Sequence, residues 1–229
     1  MSDQQQGFKN EMQQARHRLQ AVSSLALQQF EQAMRAYQTW DSRLAQQALS
    51  QLQKAHDFEQ ALDDHCLDIL SHTSKDTDLR LILALLKAIT DIEQICIQNS
   101  QIAQQVLVPA ATLPTIKQLQ AISALAEPVA KMLKLSLAAL QQYNISQAEQ
   151  VHRYAASVNS CYGAILRSNL TTGDLESGQL EVALSINWVA RALERIAEHC
   201  INLAKQAVFL TRVSSGQSLR VELQPRRLR

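Results

Sequence analysis

An all-α fold, built as two tandem and pseudo-symmetric three-helix bundles, is what this sequence predicts, and three observations predict it. Chain breakers are scarce: the 229 residues hold Gly 5 and Pro 4, and Gly7 stands alone before Gly163. Apolar residues recur at helical spacing through long stretches rich in Ala, Leu and Gln, residues that lose little on entering a helix. The run PAATLP at 109–114 then divides the chain into two parts of similar helical content, which suggests an internal duplication.

The first helix is expected from near Gly7 to Gln38, ending before Trp40-Asp41, a capping signal. The second runs to about Leu70, and SHTSKDTD separates it from a third that continues to Val108. The fourth runs from Thr115 to Tyr143, bent or interrupted at Pro128, whose ring nitrogen has no hydrogen to donate one turn back. A capping box, Ser146-x-x-Glu149, opens the fifth. SNLTTGDLESG releases that helix into a sixth, from about Gln179 to Arg212. The remaining tail has no helical period, and its Arg220, Arg226, Arg227 and Arg229 read as a short solvated cluster, with contact to anionic lipid as the alternative. The expected units are thus a first repeat at 1–108, a linker at 109–114, a second repeat at 115–213 and a basic tail at 214–229.

The duplication is tested by laying DIEQICIQNSQIAQ of the third helix over ALERIAEHCINLAK of the sixth. Glu93 falls on Glu194, Ile95 on Ile196, Ile102 on Leu203 and Ala103 on Ala204. Long helices with short connections pack antiparallel, so each half is expected to form its own bundle.

Composition excludes several function classes. Lys+Arg 22 against Asp+Glu 21, with 4% aromatic residues, lacks the basic, ring-bearing footprint of a nucleic-acid binder. The opening MSDQQQGFKNEMQQARHRL is polar and mixed in charge, unlike a targeting peptide, and the best apolar run, LILALL, is far short of the ~18 residues of a membrane span. A cytoplasmic address is expected, with membranes reached only through partners. Cys66, Cys96, Cys161 and Cys200 are scattered without a CxxC pair and read as small buried hydrophobes. No GxGxxG, GxxxxGK[ST], GxSxG or HExxH occurs, and a di-iron bundle needs paired ExxH motifs where this chain has one, Glu149-x-x-His152. No nucleophile or oriented general base stands out, so the chain reads as a non-enzyme.

Carboxylates are the remaining chemistry. In the third helix Leu79, Ile82, Leu86 and Ile89 mark an apolar stripe that Glu93 continues. In the second helix Glu59 holds the same kind of position, with His56 and Asp63 flanking it on one face. A carboxylate in an apolar stripe must be paired, protonated or bound to a cation. His56, Glu59, Asp63 and Glu93 could therefore converge as a metal site; the alternative is a bundle edge neutralised by neighbouring cations. In the sixth helix Glu194 and Glu198 lie one turn apart, with Arg191 and Arg195 in reach at i, i+3, the pattern of a surface salt-bridge ladder.

Lys75 to Ile95 and Ala190 to Leu210 resemble the two signature helices of the PhoU family. Asp78, Leu79, Arg80, Asp91, Glu93, Glu194, Arg195, Ile196, His199 and Asn202 fit its SDLR and TDLERIGDxAxNIA patterns. EQALDDHCLDIL fits the family's E-x-x-x-D stretch through Glu59 and Asp63, and the resemblance runs from near Gly7 to about Arg212. It implies two three-helix repeats and a cytoplasmic, often dimeric negative regulator of phosphate uptake and phosphate-starvation signalling. The implied partners are the ATPase subunit of a phosphate ABC transporter and a membrane sensor histidine kinase. It also implies a metal, with iron, zinc, manganese or magnesium invoked, on Glu59, Asp63, Asp91, Glu93, Glu194 and Glu198. Asp78, Arg80, Arg191, Arg195, His199 and Asn202 are left as an interaction motif. The chain departs from the pattern at Ile97, where the first signature has its last acid, and at Ala155 and Asn159, where the fifth helix should carry acids. A carboxylate-rich metal-binding bundle without a transporter role, and a purely structural scaffold, are the alternative readings.

Overall fold

The computed structural model describes residues 3–73, 75–109, 112–170 and 177–215, and among them the regular structure is entirely α-helical. Six helices follow in order: α1 Asp3–Thr39, α2 Ser42–His72, α3 Asp76–Leu107, α4 Ile116–Gln142, α5 Ile145–Leu170 and α6 Ser177–Ser214. Helices α1–α3 pack on one another, as do α4–α6, and α3 lies against α6 to join the two bundles, helped by a smaller contact of α1 with α4. The apolar periodicity thus became what it predicted, two bundles around one continuous core. The tail at 216–229, with its four arginines, lies outside the described residues.

The internal repeat extends to the buried positions. Leu19, Ala26 and Phe30 of α1 match Ile122, Val129 and Leu133 of α4; Ala55, Leu62 and Ile69 of α2 match Val151, Val158 and Ile165 of α5; Leu85, Ile92 and Ile95 of α3 match Ile186, Leu193 and Ile196 of α6. Every one of these side chains is buried. The corners between the first and second helix of each repeat match as well. Trp40 and Tyr143 both turn the chain through the left-handed region, at φ 53° and 52°. That conformation is costly for a bulky side chain, and packing of the rings offsets it. The Trp40 ring lies 5.4 Å from that of Tyr37, and the Arg16 guanidinium sits 4.6 Å above the ring of Tyr143. A short polar cap follows each corner: the Asp41 carboxylate accepts the N–H groups of Arg43 and Leu44, and the Asn144 side chain accepts that of Gln147.

Two local expectations are corrected. The fifth helix is capped by Asn144 rather than by a box at Ser146, which lies within its first turn; an acceptor at the end of the preceding left-handed corner is already placed for the free N–H groups. The fourth helix is opened by a box the sequence reading did not name, Thr115 with Gln118, and it runs through Pro128 without interruption. The Ala124 carbonyl, which Pro128 leaves without its helical donor, receives the thiol of Cys161 on α5 at 3.8 Å. Cys66, Cys96 and Cys200 are buried as expected, and burial pushes their thiols up to about 11, 12 and 12, whereas Cys161, expected to be buried too, is only partly covered at the α4–α5 contact.

A polar node crosses the first bundle. Gln29, fully buried on α1, donates to the Ala48 carbonyl of α2 at 2.9 Å and to the Ser100 hydroxyl of α3 at 2.9 Å. Asn99, also fully buried, donates to the Ala26 carbonyl at 3.1 Å and to the Gln29 side-chain oxygen at 3.4 Å. The matching positions of the second bundle are Met132, Cys200 and Ile201, and they carry no such node.

Candidate functional site

Helices α2 and α3 bring together the carboxylates that the apolar stripes place at their edge. His56 Nδ1 lies 2.9 Å from Glu93 Oε1, and the ligand atoms of His56, Glu59 and Glu93 all fall within 4.8 Å of one another. His56 and Glu59 share a face because they are three residues apart, and Asp63 follows one turn on. Burial and mutual proximity of the acids act together at the cluster. Burial first, then the charges of Glu93 and Asp63, pushes the Glu59 carboxyl above its ordinary range. Burial, then Asp64 and Glu93, does the same to Asp63. The hydrogen bond and charge of Glu93 hold exposed His56 above its ordinary value, so the imidazolium partly compensates the two acids.

One imidazole nitrogen and two carboxylates are a donor set that suits zinc, iron or manganese better than magnesium, which prefers oxygen alone. The group is open on the His56 side, which leaves positions for water or a further ligand. The residues present therefore fit a single divalent ion, held by His56, Glu59 and Glu93 with Asp63 in support. His56 was legible in the sequence through its spacing from Glu59, although the family pattern itself has no place for it.

Asp91 is not part of that cluster. It lies two positions before Glu93, with Ile92 between them, which turns it ~200° around the helix, onto the face toward α6. There it pairs with His199 Nδ1 at 2.8 Å and accepts from Asn202 Nδ2 at 3.3 Å, with both Asp91 and His199 largely buried. The two signature helices are thus linked to each other through Asp91, His199 and Asn202, a polar tie between the repeats in place of a ligand contact.

The second repeat has no matching cluster. Glu194, the counterpart of Glu93, is bound by the Arg191 guanidinium of its own helix, and Tyr162 of α5 joins that guanidinium. Ala155 and Asn159 stand where α2 has Glu59 and Asp63, and neither brings a carboxylate. Glu198 is exposed, and among the described residues no ion pair joins it to Arg195. With Arg191 paired to Glu194 and no acid brought by α5, the residues there do not fit a divalent ion. Ile97 likewise leaves the first cluster without a fourth carboxylate. Asp78 is used at the α2–α3 turn, where it accepts the Thr73 hydroxyl at 3.3 Å in the first turn of α3, and Arg80 is exposed.

Comparison with known proteins agrees with this layout. The PhoU domain matches twice, at residues 19–106 and 122–207, one copy to each bundle. The "Phosphate-specific transport system accessory protein PhoU homolog" of Pseudomonas aeruginosa is 28% identical over 208 residues, covering 90% of this chain and 86% of that protein. The "Phosphate-specific transport system accessory protein PhoU" of Escherichia coli K12 is 25% identical over 216 residues, covering 93% and 87%. The crystal structure of PhoU from Pseudomonas aeruginosa superposes with a TM-score of 0.82 at 27% identity, over 90% of this chain and 99% of that one. The crystal structure of the phosphate transport system regulatory protein PhoU from Streptococcus pneumoniae shares the fold, with a TM-score of 0.71 at 17% identity, over 93% of this chain and all of that one. With two copies of the domain spanning both bundles, the chain belongs to the PhoU family.

Proposed function

We propose that this protein is a cytoplasmic regulatory adaptor of phosphate-specific transport, acting as a pair of identical chains rather than as an enzyme. It restrains phosphate uptake and phosphate-starvation signalling by docking on the transporter's ATPase subunit and on a membrane sensor kinase. The observation that carries this reading is the match of the family domain to both bundles, together with relatives named as accessory proteins of phosphate transport over about nine-tenths of the chain. A docking protein works by binding one state of its partner better than another, and a bundle with broad helical faces suits that task. Among the described residues no helix is long and apolar enough to cross a membrane, so the membrane is reached through the partners. The test is co-purification of the tagged chain with the phosphate transporter of its own host, beside a starvation reporter in a deletion strain. Retention of the ATPase subunit and derepression of the reporter in phosphate-replete medium are expected. Neither retention nor derepression would sink the reading.

A second reading concerns the metal. The convergence of His56, Glu59 and Glu93 supports one divalent ion per chain, in the first repeat only. Its pH dependence follows from the raised groups. His56 keeps its proton to a pH above its ordinary value, and a proton on that nitrogen excludes an ion. Zinc or manganese affinity should therefore rise as the pH is raised from 6 to 8. Glu59 has the opposite relation to the metal-free fold. Its raised pKa means that the folded state favours the protonated form, so the stability it lends is present at low pH and lost as pH rises through the folded pKa. At neutral pH Glu59→Gln should accordingly leave the metal-free protein as stable or raise its Tm by about 1–2 °C, while abolishing binding. Equilibrium dialysis with zinc and manganese checks this. Undiminished binding by Glu59→Gln, or binding indifferent to pH, contradicts it.

A further inference from the structure

On its solvent face α6 carries Leu180, Leu184 and Trp188, spaced i, i+4 and i+8, where a bundle helix ordinarily presents polar residues. Trp188 is 63% exposed, and the two leucines are half exposed. The matching positions of α3 are Leu79, which is half-buried, Leu83, which is exposed, and Lys87, so the stripe is apolar along its length only in the second repeat. Beside it the α3–α4 connection adds Val108 and Leu113, half exposed, and Ile116, 76% exposed. A groove of about 400 Å³ opens between the two segments, lined by Trp40, Pro109, Pro114, Leu184 and Trp188 among others.

We infer that this face is the contact between two copies of the chain, with Leu184 and Trp188 of α6 at its centre. The inference rests on the pairing of identical chains in the reading above and names the surface that does it. Six large apolar residues are about half exposed or more along α6 and the α3–α4 connection, where apolar residues on a monomer's surface are ordinarily scattered singly. Little charge opposes closure of the groove itself, since among the described residues Glu181 is the one ionisable group that lines it. The patch also holds both a projecting indole and an apolar hollow. Across a two-fold axis, the Trp188 of each copy can therefore enter the groove of the other, which is what self-complementarity of an isologous contact demands. A large aromatic entering a desolvated pocket is also the side chain that most often dominates such an interface.

The test is sedimentation of the full chain between about 1 and 100 µM, with Leu184→Glu, Trp188→Glu and Leu83→Glu beside the wild type. The expected wild-type mass is twice the 25.6 kDa of the chain. Each of Leu184→Glu and Trp188→Glu should weaken pairing by at least about 30-fold with unchanged helical circular dichroism. Leu83→Glu, at the matching exposed position of the first repeat, should leave pairing intact. A dimer that survives both α6 variants overturns the surface while leaving pairing itself in place. A wild type that remains monomeric at the highest concentration overturns both.

Discussion

Replacing Ile92 with Ala is expected to destabilise the protein by about 3 kcal/mol and to lower Tm by roughly 6–12 °C. Ile92 is fully buried, and its repeat counterpart Leu193 on α6 is fully buried too. It stands between Asp91, which ties α3 to α6, and Glu93, which faces His56 on α2. Truncation removes the transfer free energy of the lost carbons and leaves a cavity, because α3 is held by neighbours on several sides and cannot collapse into the gap. Leu83→Ala on the same helix is the control, since half of that side chain is already in water, and a change under about 0.5 kcal/mol is expected. Thermal and urea unfolding followed by circular dichroism measure both. Equal, small effects from the two substitutions would show that the α3 core is not packed as described.

Gln29→Met should cost about 2 kcal/mol, and Asn99→Cys introduced with it should restore part of that loss. Methionine is close to glutamine in shape and is what the second bundle places at the matching position, Met132; cysteine is its choice opposite Asn99, at Cys200. The single substitution strips Asn99 of its contact with the Gln29 oxygen and Ser100 of a donor, where all three residues are buried. Removing a single partner leaves a desolvated polar group, while replacing both by apolar groups can be nearly neutral. A double-mutant cycle by chemical unfolding reads the coupling directly. Strictly additive losses would mean that Gln29 and Asn99 act independently and that the node is not a unit.

Much of the candidate cluster was visible in the sequence, because helical spacing is a geometric rule. Glu93 continues the stripe of Ile82 and Ile89, and His56, Glu59 and Asp63 recur along one face, so their meeting at an edge followed from the two stripes packing together. Asp91 shows where that reasoning stops. It matches a family position next to Glu93, yet one residue of separation points it at α6, where His199 and Asn202 take it up. The Arg191–Glu194 pair was legible as a local i, i+3 contact, and it formed. That Tyr162 joins Arg191 was not legible, since the two lie on different helices.

By itself the sequence determined the six helices, the break at 109–114, the repeat and the carboxylate-bearing faces, because each depends on propensity and spacing within tens of residues. Only the tertiary structure decided which polar groups find one another. It set Asp91 against His199, closed the node of Gln29, Asn99 and Ser100, supplied the Cys161 thiol to the carbonyl stranded by Pro128, and left Leu184 and Trp188 in the open. Those outcomes turn on the rotation and axial offset of one helix against the next, and these are fixed by the fit of many side chains at once rather than by any local pattern.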